Sequence, residues 1–160
     1  MRSVLDQVAL MCVTTAAVVA FAGPLVPSPR ATPSPATRYS LGDEFVVPGF
    51  RGGPNGTMVI WLQTACRYCT DSLGFYRHLS TRPRDIGVVV MGFEPTSVLV
   101  EYAARHALEP DQVISVPIET VKLRGTPTVL FVLSDRVRAL WIGKLTPSEE
   151  NQVLSYFRPR

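Results

Sequence analysis

The sequence is poor in the residues that hold metals and staple small folds. Of its 160 residues only three are cysteine (Cys12, Cys66, Cys69) and two are histidine (His78, His106). Three cysteines are too few for a disulfide-stapled miniature fold. There is no second C-x-x-C, and the spacing of the two histidines follows no common zinc pattern, so no metal is expected. A c-type haem attachment needs histidine after the second cysteine of the pair, and Thr70 stands there. No other cofactor is expected. Long runs of one charge are also missing. The 16 Lys and Arg are scattered among 13 Asp and Glu, for a formal net charge of +3. Nucleic-acid binding therefore has little support. No internal repeat stands out. What remains is an ordinary apolar fraction, 46%, and a length suited to one domain with appendages.

Only one long apolar run lies outside that domain. Residues 8–22 are broken only by Thr14 and Thr15, and with 23–26 the run reaches the roughly 20 residues a spanning helix needs. Two readings of segment 1–26 compete. A membrane anchor is favoured by the weakly basic start, where Asp6 offsets Arg2. A cleaved signal peptide is favoured by Ala20-Phe21-Ala22, an A-x-A pattern at the end of the run. Cys12 follows the bulky Met11 and reads as a small apolar filler, not as a lipid attachment site. Pro24, Pro27, Pro29, Pro33 and Pro35 lie among Ser, Thr and Ala. Proline fixes φ and cannot donate to a ladder, so 27–38 is expected to be an extended linker. The domain is expected over 39–160.

Within it, 41–48 reads as a short edge segment and 51–56 as a glycine-rich turn. The dense apolar run 57–63 is expected to form a strand buried on both faces. Residues 68–80 read as a helix with Leu73, Tyr76 and Leu79 on one side. A second buried strand is expected over 86–92, a helix over 95–108, and a short strand over 113–116. Two strands at 128–133 and 137–142 are joined at Ser134-Asp135-Arg136. A closing helix over 147–157 has Thr146 as N-cap and Glu149 to complete a capping box. Alternating strands and helices argue for a parallel α/β arrangement, and the late hairpin adds antiparallel strands. Trp61 is expected in the core and Trp141 half-buried on an edge strand.

The chemistry is expected at Cys66-Arg67-Tyr68-Cys69. The motif sits where a buried strand turns into a helix, and N–H groups at a helix start favour an anion. A thiolate is the reactive form of cysteine, and Arg67 would add positive charge beside it. Cys66 is therefore assigned as the attacking thiolate and Cys69, one turn on, as the resolving thiol. A purely structural disulfide is the competing reading, although so small a loop constrains the unfolded chain little. The second feature is Gly125-Thr126-Pro127-Thr128, directly before a strand. If the Thr126–Pro127 bond is cis, the corner leaves the backbone of Thr126 free to pair with an extended substrate chain; an ordinary loop proline is the alternative. Thr126, Pro127, Arg67 and Tyr68 are the expected substrate-binding residues.

Together these segments resemble the thioredoxin superfamily, in particular the membrane-tethered redoxins of bacterial envelopes (the TlpA/ResA type). The resemblance runs from about Leu41 to the C-terminus. It rests on Gly42-Asp43, Phe45, the strand 58–63, the C-x-x-C, Gly125-Thr126-Pro127-Thr128 and Gly143. It implies a thioredoxin-like α/β fold: a central mixed sheet flanked by helices, with an extra strand–helix insertion between the C-x-x-C helix and the cis-proline strand. It implies Pro127 as that cis-proline. Some positions depart from the family pattern. Ala65 stands where tryptophan is usual, Gly74 where many members have a helix-kinking proline, and Ile60 where plain thioredoxin has a buried aspartate. Ser72 replaces the glutamate of envelope reductases, which leaves Asp71 and Glu94 as weak substitutes, each read as a solvated or helix-capping charge.

The function this implies is disulfide exchange with protein substrates on the extracytoplasmic side of a membrane, periplasmic or cell-surface, with a redox partner protein. The domain would be held by the N-terminal helix, or released to the periplasm if that segment is cleaved. Two alternatives stand beside it. One is a redoxin-fold binding or chaperone protein with a secondary or structural dithiol. The other is a peroxide-reducing redoxin, a class that reads T-x-x-C where this chain has Gln63-Thr64-Ala65-Cys66.

Overall fold

The run Thr57–Trp61 forms the central strand β1, and all five of its residues are buried. The computed structural model describes residues 39–81, 85–123 and 125–157. The anchor or signal segment, the proline-rich linker and Cys12 lie outside these residues. Among the described residues no helix is long and apolar enough to cross a membrane. The remaining strands are β2 (Gly87–Gly92), β3 (Gln112–Ser115), β4 (Thr128–Leu133) and β5 (Arg136–Ile142). The helices are α1 (Arg67–Asp71), α2 (Leu73–Ser80), α3 (Thr96–Arg105) and α4 (Pro147–Ser155), with a 3-10 turn at Ile118–Thr120.

The sheet order is β3-β2-β1-β4-β5. β1 runs parallel to β2 and β2 parallel to β3, while β1–β4 and β4–β5 are antiparallel. Side chains of a strand alternate between faces. Met58 and Ile60 accordingly enter one core cluster, and Val59 and Trp61 the other. The first cluster takes Leu73, Tyr76 and Leu79 of α2, Leu99, Tyr102 and Ala103 of α3, and Val153 of α4. The connections β1→β2 and β2→β3 step the same way across the sheet. Right-handed crossovers then put their helices on the same face, which packs α2 beside α3. The opposite face is covered by Tyr39, Phe45 and Val47 from the start of the domain, and by Val116 and Val121 around the 3-10 turn.

The expected edge segment lies against β5: the Phe45 N–H donates to the Asp135 carbonyl at 2.8 Å and the Val137 N–H to the Asp43 carbonyl at 2.9 Å. Ser134 and Asp135, both at positive φ, make the two-residue turn between β4 and β5, as the twist of a tight hairpin demands. The capping box at α4 is present, with the Glu149 N–H donating to the Thr146 hydroxyl and the Thr146 N–H to the Glu149 carboxylate. Trp61 is fully buried, and Trp141, on the edge strand β5, is 9% exposed.

One helix differs from its sequence reading. The segment expected as a continuous helix over 68–80 breaks at Ser72, which closes α1 and opens α2. The Ser72 hydroxyl donates to the Tyr68 carbonyl at 2.9 Å, and its N–H is shared between the Tyr68 and Cys69 carbonyls at 3.2 Å each. A serine that bonds its own preceding turn competes with the helical ladder, so α1 ends one residue after Thr70.

Gly56, just before β1, has φ +101, and a Cβ there would lie 2.5 Å from the ring of Phe131. Gly56→Ala therefore combines backbone strain with a core clash. It is expected to lower stability by at least about 2 kcal/mol in urea unfolding, whereas Gly74→Ala, where a Cβ meets nothing within 4 Å, should not lower it.

Candidate active site

Cys66 follows β1 across the short link Leu62–Ala65 and is the N-cap of α1, in an extended conformation. Its sulfur accepts the Cys69 N–H at 3.4 Å, and its thiol donates to the Thr126 carbonyl at 3.5 Å. The Thr126–Pro127 peptide is cis. The two sequence features, separated by 60 residues, thus meet at one point. Pro127 is buried, and its carbonyl accepts the Gly143 N–H at 2.7 Å. Gly143 takes φ +88, a region that glycine enters without a Cβ penalty. The Thr128 hydroxyl, donating to the Gly125 carbonyl at 2.7 Å, closes the corner from its other side.

The two thiols are free and differ in environment: Cys66 is partly exposed and Cys69 fully buried. Partial burial raises the Cys66 thiol. The Cys69 thiol, the Thr126 side chain and the N–H groups of Cys69 and Tyr68 outweigh it, so Cys66 ionises below its ordinary value. Burial pushes the Cys69 thiol up to about 12, reinforced by its hydrogen bond to Cys66 and by the Cys66 charge and opposed by the Gln63 backbone and the Thr126 side chain. The pair is therefore divided into a readily ionised outer sulfur and an inner one held as a thiol. Arg67 and Tyr68 are exposed, Tyr68 by 58%. The groups that favour the Cys66 thiolate are the backbone and neighbouring hydrogen bonds, and Arg67 is not among them.

Several contacts were not legible in the sequence. The Thr126 hydroxyl donates to Gln63 Oε1 at 3.1 Å, tying the proline corner to the link that follows β1. Glu94, expected as a solvated or helix-capping charge, instead bridges to the loop before the C-x-x-C. Its Oε1 accepts the Thr64 N–H at 2.7 Å and the Thr64 hydroxyl at 3.0 Å, and no side chain caps α3. Polar residues abutting an apolar strand end were the available signal for both. Asp71 lies at the surface, 3.8 Å from Lys144, as read. His78 is exposed, and the His106 ring packs on Tyr102 with centroids 4.5 Å apart. Among the described residues no three His, Cys, Asp or Glu side chains are grouped to hold a metal.

The fold has counterparts among solved structures. The chain is similar to a thiol-disulfide isomerase from Corynebacterium glutamicum, at 15% identity over 77% of this chain and 96% of that one, with a TM-score of 0.53. It is similar to the thioredoxin domain of a thiol-disulfide oxidoreductase from Bacteroides vulgatus, at 10% identity over 75% and 99%, TM-score 0.56. A peroxiredoxin-like protein from Aquifex aeolicus matches at 9% identity over 74% and 88%, TM-score 0.55. No family model and no curated protein sequence matches. At these identities the likeness establishes the fold: the chain has a thioredoxin-like α/β fold, with a close cysteine pair at the end of its central strand.

The asymmetry of the pair is directly measurable. Only the thiolate is alkylated, so a thiol ionising at lower pH reacts at lower pH. With iodoacetamide and peptide mass mapping at pH 7, Cys66 is expected to be labelled at least about tenfold faster than Cys69, and Cys69 labelling should still be rising at pH 10. Equal rates, or faster labelling of Cys69, would contradict the assigned environments.

Proposed function

We propose that this protein is a thiol–disulfide oxidoreductase that exchanges disulfides with protein substrates through Cys66 and Cys69. The observation that carries the reading is the placement of a partly exposed, easily ionised Cys66 against the Thr126 carbonyl of the cis Thr126–Pro127 corner, with a buried thiol one turn away. In the reductive direction the Cys66 thiolate attacks a substrate disulfide. One substrate sulfur leaves as thiolate and a mixed disulfide forms. Cys69 then attacks the Cys66 sulfur, which releases the second substrate thiolate and closes the Cys66–Cys69 disulfide. Two electrons pass to the substrate, and the two protons lost by the dithiol balance those its thiolates take up. Run backwards, the cycle inserts a disulfide.

An extended substrate chain suits this site because a proline corner presents backbone groups at its edge, where a strand-like segment pairs. Exposed Tyr68 and Arg67 flank the outer sulfur and offer an apolar ring and a charge to such a chain. The bacterial-envelope setting is part of the proposal. It rests on the apolar run 8–22 and on the resemblance to tethered redoxins. In that setting segment 1–26 anchors the domain, or is removed to leave it periplasmic, and a redox partner protein resets the pair.

The decisive measurement equilibrates the full-length chain in graded glutathione buffers, traps thiols by alkylation and reads the Cys66–Cys69 peptide by mass. A single reversible two-electron transition is expected, with a midpoint inside the roughly −270 to −120 mV spanned by C-x-x-C proteins, and Cys66→Ser should abolish it. A pair locked in one state across the whole range would leave a structural or binding role instead. Rapid hydrogen peroxide consumption dependent on Cys66 would favour a peroxide-reducing redoxin. Tyr68→Ala is expected to raise KM for a reducible folded protein about threefold or more while changing kcat less than about twofold, because the ring contributes contact area and no chemistry.

A further inference from the structure

Cys66 is placed by the link that precedes it, and that link is short of side chains that could hold it. Leu62 ends the pairing with β2, its N–H donating to the Met91 carbonyl at 2.9 Å. Beyond it Gln63 and Thr64 are half-buried, and Ala65, with only a methyl group, is exposed. No large apolar side chain pins the chain between Leu62 and Cys66. Two polar ties stand in its place. Gln63 receives the Thr126 hydroxyl on one side. On the other, Glu94 Oε1 accepts both the N–H and the hydroxyl of Thr64, at 2.7 and 3.0 Å. The link then turns back on itself, the Cys66 N–H donating to the Gln63 carbonyl at 3.2 Å.

Glu94 is itself on firm ground. It stands two residues past the end of β2. Phe93 beside it packs edge-on against Trp61, with ring centroids 4.7 Å apart, and the Gly92 carbonyl accepts the Val116 N–H at 2.9 Å. The second carboxylate oxygen, Oε2, is buried without a hydrogen-bond partner among the described residues, an unfavourable place for it. A Cβ on Gly92 would lie 2.9 Å from that oxygen, so the glycine leaves the space the carboxylate uses. An ionised acceptor makes stronger hydrogen bonds than a neutral one, and both of those bonds go to Thr64.

We propose that Glu94 is a positioning residue: by clamping Thr64 it fixes the link, and through the link it keeps the Cys66 sulfur against the Thr126 carbonyl and the Cys69 N–H. The groups at that spot favour the thiolate, so a sulfur that drifts from it ionises less readily. The inference deepens the exchange reading above and rests on it for its consequence, the rate of the first attack at neutral pH. Glu94 does not act by its charge. That charge bears on Tyr102 and is not among the groups that move Cys66. The titratable groups around Cys66 are Cys69 on its own turn, and Tyr76 from α2 and Tyr102 from α3, which feel its charge. Arg67 beside it is exposed. Removing a nearby negative charge would ease ionisation of Cys66, whereas releasing the clamp opposes it, so the two effects have opposite signs.

The test is the pH profile of Cys66 labelling by iodoacetamide, read by peptide mass mapping on the full-length reduced chain. Glu94→Ala is expected to slow labelling about threefold or more at pH 7 and to leave the high-pH plateau no lower, because the thiolate forms at higher pH but is no weaker a nucleophile. Glu94→Gln loses the charge but keeps an acceptor for Thr64, and should recover most of the rate. Thr64→Ala keeps the N–H and loses the hydroxyl. It should slow labelling about twofold at pH 7, and adding it to Glu94→Ala should change nothing further, since the two side chains act as one tie. A wild-type profile in Glu94→Ala would overturn the proposal. So would faster labelling at pH 7 in both Glu94→Ala and Glu94→Gln, the mark of a charge effect. Slowing by one constant factor at every pH, the mark of a merely structural role, would overturn it too. If Glu94→Ala loses its near-UV circular dichroism, Thr64→Ala decides alone: a profile displaced to higher pH supports the clamp, and a wild-type profile overturns it. The glutathione titration of the wild-type chain judges exchange separately. A pair that stays reduced throughout would sink that reading and leave these profiles to judge the clamp.

Discussion

The burial of β1 on both faces is the constraint on which the rest of the molecule depends. A strand with no exposed side needs a paired neighbour on each edge and an apolar layer above and below. β2 and β4 supply the first, and the two core clusters supply the second. Everything at the candidate site hangs from the end of this strand. Cys66 emerges from it at a helix start, Gln63 reaches from it to Thr126, and the proline corner opens β4, its antiparallel neighbour. The sulfur and the Thr126 carbonyl meet because both are tied to a strand pair that cannot slide without exposing its core residues.

The same topology produces the difference between the two thiols. At the start of α1, Cys66 is exposed enough to be reached and is surrounded by donors. One turn later Cys69 points down into the layer between sheet and helices and is fully buried. A short helix over a packed sheet thus yields one accessible, readily ionised thiol and one buried thiol from the same residue type. The break at Ser72 contributes, since it lets α2 bury Leu73, Tyr76 and Leu79 along its own axis.

Much of this was legible in the chain. The β1 segment was readable because a dense apolar run bounded by glycine and polar residues suits only a doubly buried strand at that length. The C-x-x-C was readable because its spacing and its place before a helix both serve a thiolate. The capping box at Thr146 and Glu149 and the turn at Ser134-Asp135 were readable because they are local, with every partner within a few residues. Reading failed where the deciding partner was distant or where two local signals competed. Glu94 precedes a proline and a helix, which suggests a solvated or capping charge, yet Thr64, 30 residues away, holds it. The helix over 68–80 was read through Ser72 because its apolar spacing continues, whereas the serine hydroxyl returned to its own preceding turn.

The sequence by itself determined the elements, their order and the place of the cysteine pair at a helix start, because these follow from periodicity, caps and spacing within short windows. Only the tertiary structure decided that Cys66 lies against Thr126, that the bond before Pro127 is cis, and that Glu94 reaches back to Thr64. Those facts depend on which strands pair and which loops that pairing brings together, and no local window contains it.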